Sequence, residues 1–550
     1  MTSLLEIPLL EIHDLDVRLP PGGDRAFALE GVSLSLSRGE ILCVVGESGS
    51  GKSMLAGTVM RLLPPGIGVA AGGVRLAGEE LLTKSEPEMR RIRGARVAMI
   101  FQEPMTALNP LRSIGDQIGE MFRIHTKLSG AEIEGRALAL LAEVRLPDPP
   151  AALKAFPHEL SGGQRQRAMI AMALALEPDV IIADEPTTAL DVTTQAQILA
   201  LIRDLQHRRG TAVLFITHDF GVVAEIADRV AVMQHGKLVE SGRADAVLNR
   251  PEHPYTRALI AAVPPLNAAP RPPLPAGTPP ALRIEGVSKT YRRSGWFGRK
   301  GRETRAISDV SLLLPRGGTL GIVGESGSGK STLARCVMRL LEPETGSVRL
   351  GETDLLALRP ADWRRETRRI QMVFQDPYAS LNPRRRVGDL VAQGPVLHGV
   401  PRAEARERVR ELFELVGLRA DALDRFPHEF SGGQRQRIGL ARALALRPEV
   451  LVADEALSAL DVSVQAQVLR LLAELQQRLG LSLLFITHDL RVAAQICDRI
   501  AVMQGGLVVE EGTAQQVFGA PREDYTRALL ASVPGRAALE RAGDLIVAEG

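Results

Sequence analysis

Cysteine is nearly missing from this sequence. The 550 residues hold three, Cys43, Cys336 and Cys497, each alone inside an apolar run and none in a C-x-x-C pair. That scatter supports neither a disulfide framework nor a metal site, and it reads as three small buried hydrophobes in a reducing compartment. Long apolar runs are missing too. The unbroken ones last only a handful of residues, whereas a membrane-spanning helix needs about 18 or more. The opening MTSLLEIPLLEIHD has no basic stretch leading into an apolar one, so no export leader is expected. Nor does one sign of charge prevail: 67 basic side chains face 65 acidic ones, a formal net charge of +2. Such balance gives no electrostatic case for nucleic acid or for an anionic membrane surface. Any work at a membrane is then done from outside the bilayer.

What is present comes twice. Gly46-Glu47-Ser48-Gly49-Ser50-Gly51-Lys52-Ser53 recurs as Gly324-Glu325-Ser326-Gly327-Ser328-Gly329-Lys330-Ser331. In this G-x-x-x-x-G-K-S spacing the glycines let backbone N–H groups curl around a β-phosphate, the lysine reaches the β/γ-oxygens, and the serine hydroxyl suits Mg²⁺. Each copy follows a β-branched apolar run (Ile41 to Val45; Leu320 to Val323) and leads into helix-compatible sequence, the strand–loop–helix context that the motif requires. A glycine-rich turn that binds nothing does not account for two copies in the same context.

Four further blocks repeat in the same order. Lys52 and Lys330 lie 278 positions apart and Gln102 and Gln375 lie 273 apart; Ser161 and Ser431, Asp184 and Asp454, and His218 and His488 are each 270 apart. The chain is therefore two homologous domains, 1–263 and 282–550, with small insertions in the first between its P-loop and its Ser-Gly-Gly block. Between them, Pro264 to Ala281 has eight prolines in eighteen residues and reads as an extended linker, rising about 3.1 Å per residue. One charge run, Tyr291 to Arg305, carries six basic residues and one acid between two strand-like segments, and reads as a solvated hairpin loop with Trp296 and Phe297 at its tip.

The repeated blocks carry phosphate chemistry. Strands end at Gln102 and Gln375. Ser161-Gly162-Gly163-Gln164 and Ser431-Gly432-Gly433-Gln434 each introduce an alanine-rich helix, whose N-terminus offers a hydroxyl, free N–H groups and the positive end of a dipole. That is a second phosphate cradle in a domain with one γ-phosphate to bind, and the plain resolution is that each cradle completes the P-loop site of the other copy. Two apolar strands then end in acid pairs, Asp184-Glu185 and Asp454-Glu455. The first acid suits a contact to Mg²⁺ and the second suits polarising the water that attacks phosphorus. Asp191 and Asp461 follow, and then His218 and His488, read as γ-phosphate sensors because the same histidine ends the same strand twice.

P-loop, glutamine, Ser-Gly-Gly-Gln, Asp-Glu and histidine in this order resemble ATP-binding cassette (ABC) proteins over nearly the whole chain. The resemblance implies an α/β fold: two tandem ABC-type P-loop nucleotide-binding domains, each a RecA-like α/β core with an antiparallel β subdomain and a helical subdomain carrying the Ser-Gly-Gly signature. It implies that ATP and Mg²⁺ are held head to tail. Lys52, Ser53, Gln102, Asp184, Glu185 and His218 would work with Ser431 and Gly433; Lys330, Ser331, Gln375, Asp454, Glu455 and His488 would work with Ser161 and Gly163. Glu185 and Glu455 would be the catalytic bases. Ser53, Gln102 and Asp184, with Ser331, Gln375 and Asp454, would surround the metal.

Finer motifs narrow the branch. Phe101 to Pro110 (FQEPMTALNP), Phe374 to Pro383 (FQDPYASLNP) and His253 to Leu259 (HPYTRAL) resemble the oligopeptide/dipeptide/nickel importer subfamily, here with its two ATPase subunits fused, an arrangement similar to that of bacterial glutathione importers. The resemblance implies an energy-coupling ATPase, peripheral on the cytoplasmic face of the inner membrane. Its partners would be two membrane-spanning permease subunits and, through them, an extracytoplasmic solute-binding protein. The solute stays open among peptides, glutathione, nickel chelates and certain oligosaccharides. Residues 260–281 and 530–550 contain no cysteine, so the iron–sulfur cluster of some members is not expected. The second copy reads Asp454-Glu455-Ala456-Leu457 where Pro186 follows Glu185 in the first, a mild departure at site two. Leu19 aligns with Tyr291, at the position where the family usually keeps an aromatic to stack on adenine, so an asymmetry between the sites is expected, with Phe27 as a substitute if the hairpin folds back. The alternative is a soluble twin-cassette ATPase of translation or DNA repair. Against it stand a short Pro-Ala linker in place of a long charged helix, and isolated cysteines in place of zinc-binding pairs.

Overall fold

The structure is a computed structural model that describes residues 8–21, 25–188, 190–267, 271–272, 274–275, 277–292, 303–374, 380–457 and 460–536. The chain divides into two units, Met1–Leu190 with Thr194–Val263 and Pro534–Gly550, and Asp191–Thr193 with Pro264–Val533. Each contains a four-stranded antiparallel sheet, a six-stranded sheet and a set of helices.

In the first unit the six-stranded sheet runs Lys237–Arg243, Arg229–Gln234, Ile41–Val45, Ala212–Thr217, Val180–Asp184, Val97–Ile100. Its pairs are parallel, Ile41 beside Val213 and Val180 beside Ala212, except at the Lys237–Arg243 edge. Parallel strands buried on both faces read as unbroken apolar runs because successive side chains point to opposite sides. Ile41, Cys43 and Val45 pack with Phe122, Phe215 and Phe220 on the helical side. Leu42 and Val44 pack with Leu10, Leu36 and Val74 of the antiparallel sheet on the other. That second sheet has the order Phe27–Leu36, Leu10–Arg18, Gly68–Leu76, Glu79–Glu80, with Leu10 opposite Leu36 and Arg18 opposite Phe27. Helices Ile114–His125, Gly130–Glu143 and Gly162–Leu174 complete the helical side. The expected core, antiparallel subdomain and helical subdomain are all present.

The second unit repeats the order: Ile370–Val373, Val450–Asp454, Ser482–Ile486, Thr319–Val323, Arg499–Gln504, Leu507–Thr513. Its antiparallel sheet is built on the long hairpin Pro280–Arg292 and Glu303–Pro315. The strand ends pair Arg292 with Glu303, and the Trp296-Phe297 tip lies outside the described residues.

Cys43, Cys336 and Cys497 are all buried and unbonded. Burial pushes the Cys336 thiol up to about 11 and the other two higher still, so none is a ready nucleophile. Among the described residues no helix is long and apolar enough to cross a membrane.

The proline-rich segment is not a free spacer in its described part. Leu266 is buried in the core of the second unit. The Arg271 guanidinium donates to the Ile496 carbonyl, to Gln476 Oε1 at 2.8 Å and to Thr319 Oγ1 at 3.3 Å, with the Asp498 carboxylate 3.5 Å away. One partly buried arginine with that many acceptors fastens the segment to the unit that follows it.

Candidate functional site

In each unit the P-loop leaves the C-terminal end of a central parallel strand, where open α/β sheets place their ligands. Strand Ile41–Val45 ends at Gly46, and helix Lys52–Met60 begins after Gly51; strand Thr319–Val323 and helix Lys330–Val337 repeat this. Lys52 is buried and donates through Nζ to the Gly46 and Glu47 carbonyls at 2.6 and 2.9 Å. Lys330 does the same to Gly324 and Glu325, both at 2.8 Å. Burial lowers the Lys330 pKa, against the opposing charges of Glu455, Asp191 and Asp454.

The strand beyond the P-loop strand's neighbour, past Ala212–Thr217 in the first unit and past Ser482–Ile486 in the second, delivers the acids. Ser53 Oγ donates to Asp184 Oδ1 at 3.2 Å, and Ser331 Oγ to Asp454 Oδ1 at 3.0 Å. Burial raises both aspartates above the usual carboxylate range, with the adjoining glutamate's charge adding to it. Glu185 and Glu455 are the first residues past the strand ends, and both hold positive φ, 46° and 48°. A non-glycine residue in that region costs on the order of 1–3 kcal/mol, so the surroundings must impose it. They do: Glu185 N–H donates to the Ile216 carbonyl and Glu455 N–H to the Ile486 carbonyl, each at 2.9 Å.

Around Glu185 the polar groups converge. Gln102 Nε2 and Thr188 Oγ1 each donate to Oε2 at 3.0 Å, and His218 Nδ1 lies 3.3 Å from Oε1. Burial pushes this carboxyl upward, but the His218 hydrogen bond and charge, Lys52 and Thr188 together outweigh it and hold Glu185 down at about 2. Glu455 is lowered by the same balance, with burial opposed by His488, whose Nδ1 is 3.6 Å from Oε1. Neighbouring acids pushed apart, aspartate up and glutamate down, give two roles from one dipeptide. Gln375 lies outside the described residues.

Ser161 caps helix Gly162–Leu174: its Oγ accepts the Gln164 N–H at 3.3 Å while Gln164 Oε1 accepts the Ser161 N–H at 2.9 Å. Ser431 and Gln434 form the same box at 3.4 and 3.0 Å. Serine and glutamine thus order the helix start, and a Cβ at Gly163 or Gly433 would run into Thr194 or Val464. Asp191 is buried just ahead of helix Val192–Arg209, and Asp461 is the N-cap of Val462–Leu479.

Two features escaped sequence reasoning. Thr187 is buried and accepts from Gln195 Nε2 at 3.4 Å, and the same amide also reaches Asp219 Oδ2 at 3.4 Å; the second copy puts Leu457 at that place, inside its apolar core. Tyr255 and Tyr525 each set a hydroxyl on a P-loop. HPYTRAL was legible as a family mark, but nothing in its spacing says which loop it meets.

A family model described as "ABC transporter" matches residues 29–188 and 307–458. The chain belongs to the ABC transporter family. A second model, "Oligopeptide/dipeptide transporter, C-terminal region", matches this ABC chain at 239–296 and 509–546. "Glutathione import ATP-binding protein GsiA" of Salmonella choleraesuis is 47% identical over 557 residues, covering 96% of this chain and 89% of that one, and the Escherichia coli O157:H7 protein of the same name matches equally. Among solved structures, cbiO1 from Clostridium perfringens, part of the ABC transporter complex cbiONQ, is 27% identical, with a TM-score of 0.40, over 49% of this chain and 99% of that one.

The position where an adenine-stacking aromatic is expected differs between the two halves of the ABC chain. Tyr291, 41% exposed, is the last residue but one of its strand, whereas Leu19 is tucked against the core. Phe27 lies across the hairpin, with the Arg18 guanidinium 5.6 Å from its ring centroid, so one face of that ring is already partnered. A stacked ring contributes about 0.5–1.5 kcal/mol beyond area burial. Tyr291→Ala is therefore expected to weaken ATP several-fold at the second site and erase its preference over GTP, while Leu19→Ala leaves the first unchanged. Nucleotide titrations in Lys52→Ala and Lys330→Ala backgrounds check this; equal affinity and equal base preference at both sites would contradict it.

Proposed function

We propose that this chain is the ATP-hydrolysing, energy-coupling subunit of a bacterial importer for peptides or related small solutes, glutathione among them. The observation that carries the reading is the pairing, in each half, of a complete P-loop, Asp-Glu and histidine cluster with the oligopeptide/dipeptide transporter C-terminal region. The likeness to glutathione import ATP-binding proteins along nearly the whole chain supports the solute class.

In this reading Lys52 and Lys330, aimed by their own loop carbonyls, turn a remaining donor to the β/γ-oxygens of ATP. Glu185 and Glu455, held ionised, accept a hydrogen bond from the attacking water and aim it. His218 and His488, which already bracket those carboxylates, face the γ-phosphate, and Gln102 and Gln375 report its presence. Ser161 with Gly163, and Ser431 with Gly433, each supply the second cradle for the P-loop of the other half. Ser53 with Asp184, and Ser331 with Asp454, are a hydroxyl and a carboxylate already in contact, the hard-oxygen donors that suit Mg²⁺, which takes few protein ligands beside substrate phosphates. Mg²⁺ would neutralise phosphate charge as it develops.

The partners are two membrane-spanning permease subunits and, through them, an extracytoplasmic solute-binding protein, with the chain peripheral on the cytoplasmic face of the inner membrane. Steady-state ATPase rates of the purified chain, alone and assembled with a candidate permease pair of the oligopeptide/dipeptide type and loaded binding protein, test this. The rate is expected to be low alone and to rise several-fold on assembly. A full rate alone that ignores the membrane subunits would overturn the reading.

A further inference from the structure

Helix Pro254–Ala261 in the first unit and helix Asp524–Ala531 in the second are remote in sequence from the P-loops, yet each places a tyrosine on one. Tyr255 Oη accepts the Glu47 N–H at 3.1 Å and donates to Glu47 Oε2 at 3.3 Å. Tyr525 Oη accepts the Glu325 N–H at 3.1 Å. These N–H groups belong to the peptides Gly46–Glu47 and Gly324–Glu325, whose carbonyl oxygens accept from Lys52 Nζ at 2.6 Å and Lys330 Nζ at 2.8 Å. One peptide plane is thus held at both ends, by a hydroxyl on its N–H and by the ammonium on its carbonyl. Hydrogen bonds chained through one peptide polarise one another.

The tyrosines are carried on firm supports. Leu259 and Ile260, like Leu529 and Leu530, are buried under their helices. Ahead of the first helix the Glu240 carboxylate accepts the Glu252 and His253 N–H groups at 2.8 and 3.1 Å. Ahead of the second, Glu510 accepts the Arg522 and Glu523 N–H groups at 2.9 and 3.2 Å. The same carboxylate anchor, helix and hydroxyl recur in both halves.

We propose that Tyr255 and Tyr525 are positioning residues for ATP: each hydroxyl fixes the first peptide of a P-loop, and that peptide's carbonyl aims the lysine that grips the phosphates. The inference rests on the role given to Lys52 and Lys330 above. It makes the C-terminal region of each half a mechanical part of its nucleotide site.

The test uses the full chain with Tyr255→Phe and Tyr525→Phe together, which keeps both rings and removes only the hydroxyls. One neutral hydrogen bond corresponds to about a three- to tenfold change in affinity. The paired variant is expected to raise KM for ATP and weaken binding of a fluorescent ATP analogue by that factor, with kcat nearly retained. In a Lys52→Ala, Lys330→Ala background, titrated to millimolar nucleotide, the same pair should add nothing, because the hydroxyls act through the lysines. Unchanged affinity, or equal weakening in both backgrounds, overturns the proposal. A wild-type chain that fails to bind ATP would instead overturn the functional reading; wild type and variant binding equally tightly would remove this inference alone.

Discussion

Replacing Glu185 or Glu455 by glutamine leaves ATP bound and slows its hydrolysis by about 10²–10⁴-fold, the usual contribution of a positioned proton acceptor. Glutamine keeps the shape and can still accept from Gln102 and Thr188, so the loss isolates the charge. Because Glu185 is held down at about 2, it is ionised between pH 5 and 7, and an acid limb in that window reports some other group. The sign for stability follows from the same depression. A carboxylate lowered by folding contributes stability that is full above its ordinary value of 4.5 and lost as pH falls towards about 2. Single-turnover hydrolysis by each variant checks the expectation. A loss at only one of the two positions would mean that one half binds ATP without hydrolysing it.

Gly46→Ala and Gly324→Ala are the second large effect. Their φ values, 152° and 149°, lie where side chains are strained, and a Cβ at either position would run into a backbone carbonyl of the neighbouring strand, Met233 or Met503. Backbone cannot rotate away as a side chain does. Strain and overpacking together cost on the order of 2–5 kcal/mol. They fall on the peptide that Lys52 or Lys330 holds, so ATP affinity is expected to drop at least tenfold at the altered site while its counterpart in the other half is kept. Thermal unfolding with and without ATP measures both; a variant with wild-type melting and wild-type affinity would show that the loop has room it does not display.

Motifs carried on consecutive residues were legible in advance. Strand, P-loop and helix follow one another within about twenty positions, and the apolar runs that end at Asp184 and Asp454 are legible because both faces of those strands are covered. What stayed hidden depends on residues far apart in the chain. Tyr255 meets Glu47 across 208 positions and Arg271 meets Ile496 across 225. Neither pairing leaves a periodicity, because it is set by where the sheets seat the helices. Serine and glutamine of the signature point to phosphate in the sequence, but the Ser-x-x-Gln box also caps a helix by itself. Leu457 departs from the Thr187 of the first copy, and the fold uses it as core.

Solute accumulation in proteoliposomes tests the central claim most directly. The vesicles would carry a candidate permease pair of the oligopeptide/dipeptide type, loaded binding protein outside and MgATP inside with the chain. Labelled glutathione or short peptides are expected to accumulate with the wild-type chain and not with the Glu185→Gln, Glu455→Gln double variant. Brisk ATP hydrolysis with no accumulation, or equal accumulation with the double variant, would contradict the assignment of hydrolysis-driven import to this chain.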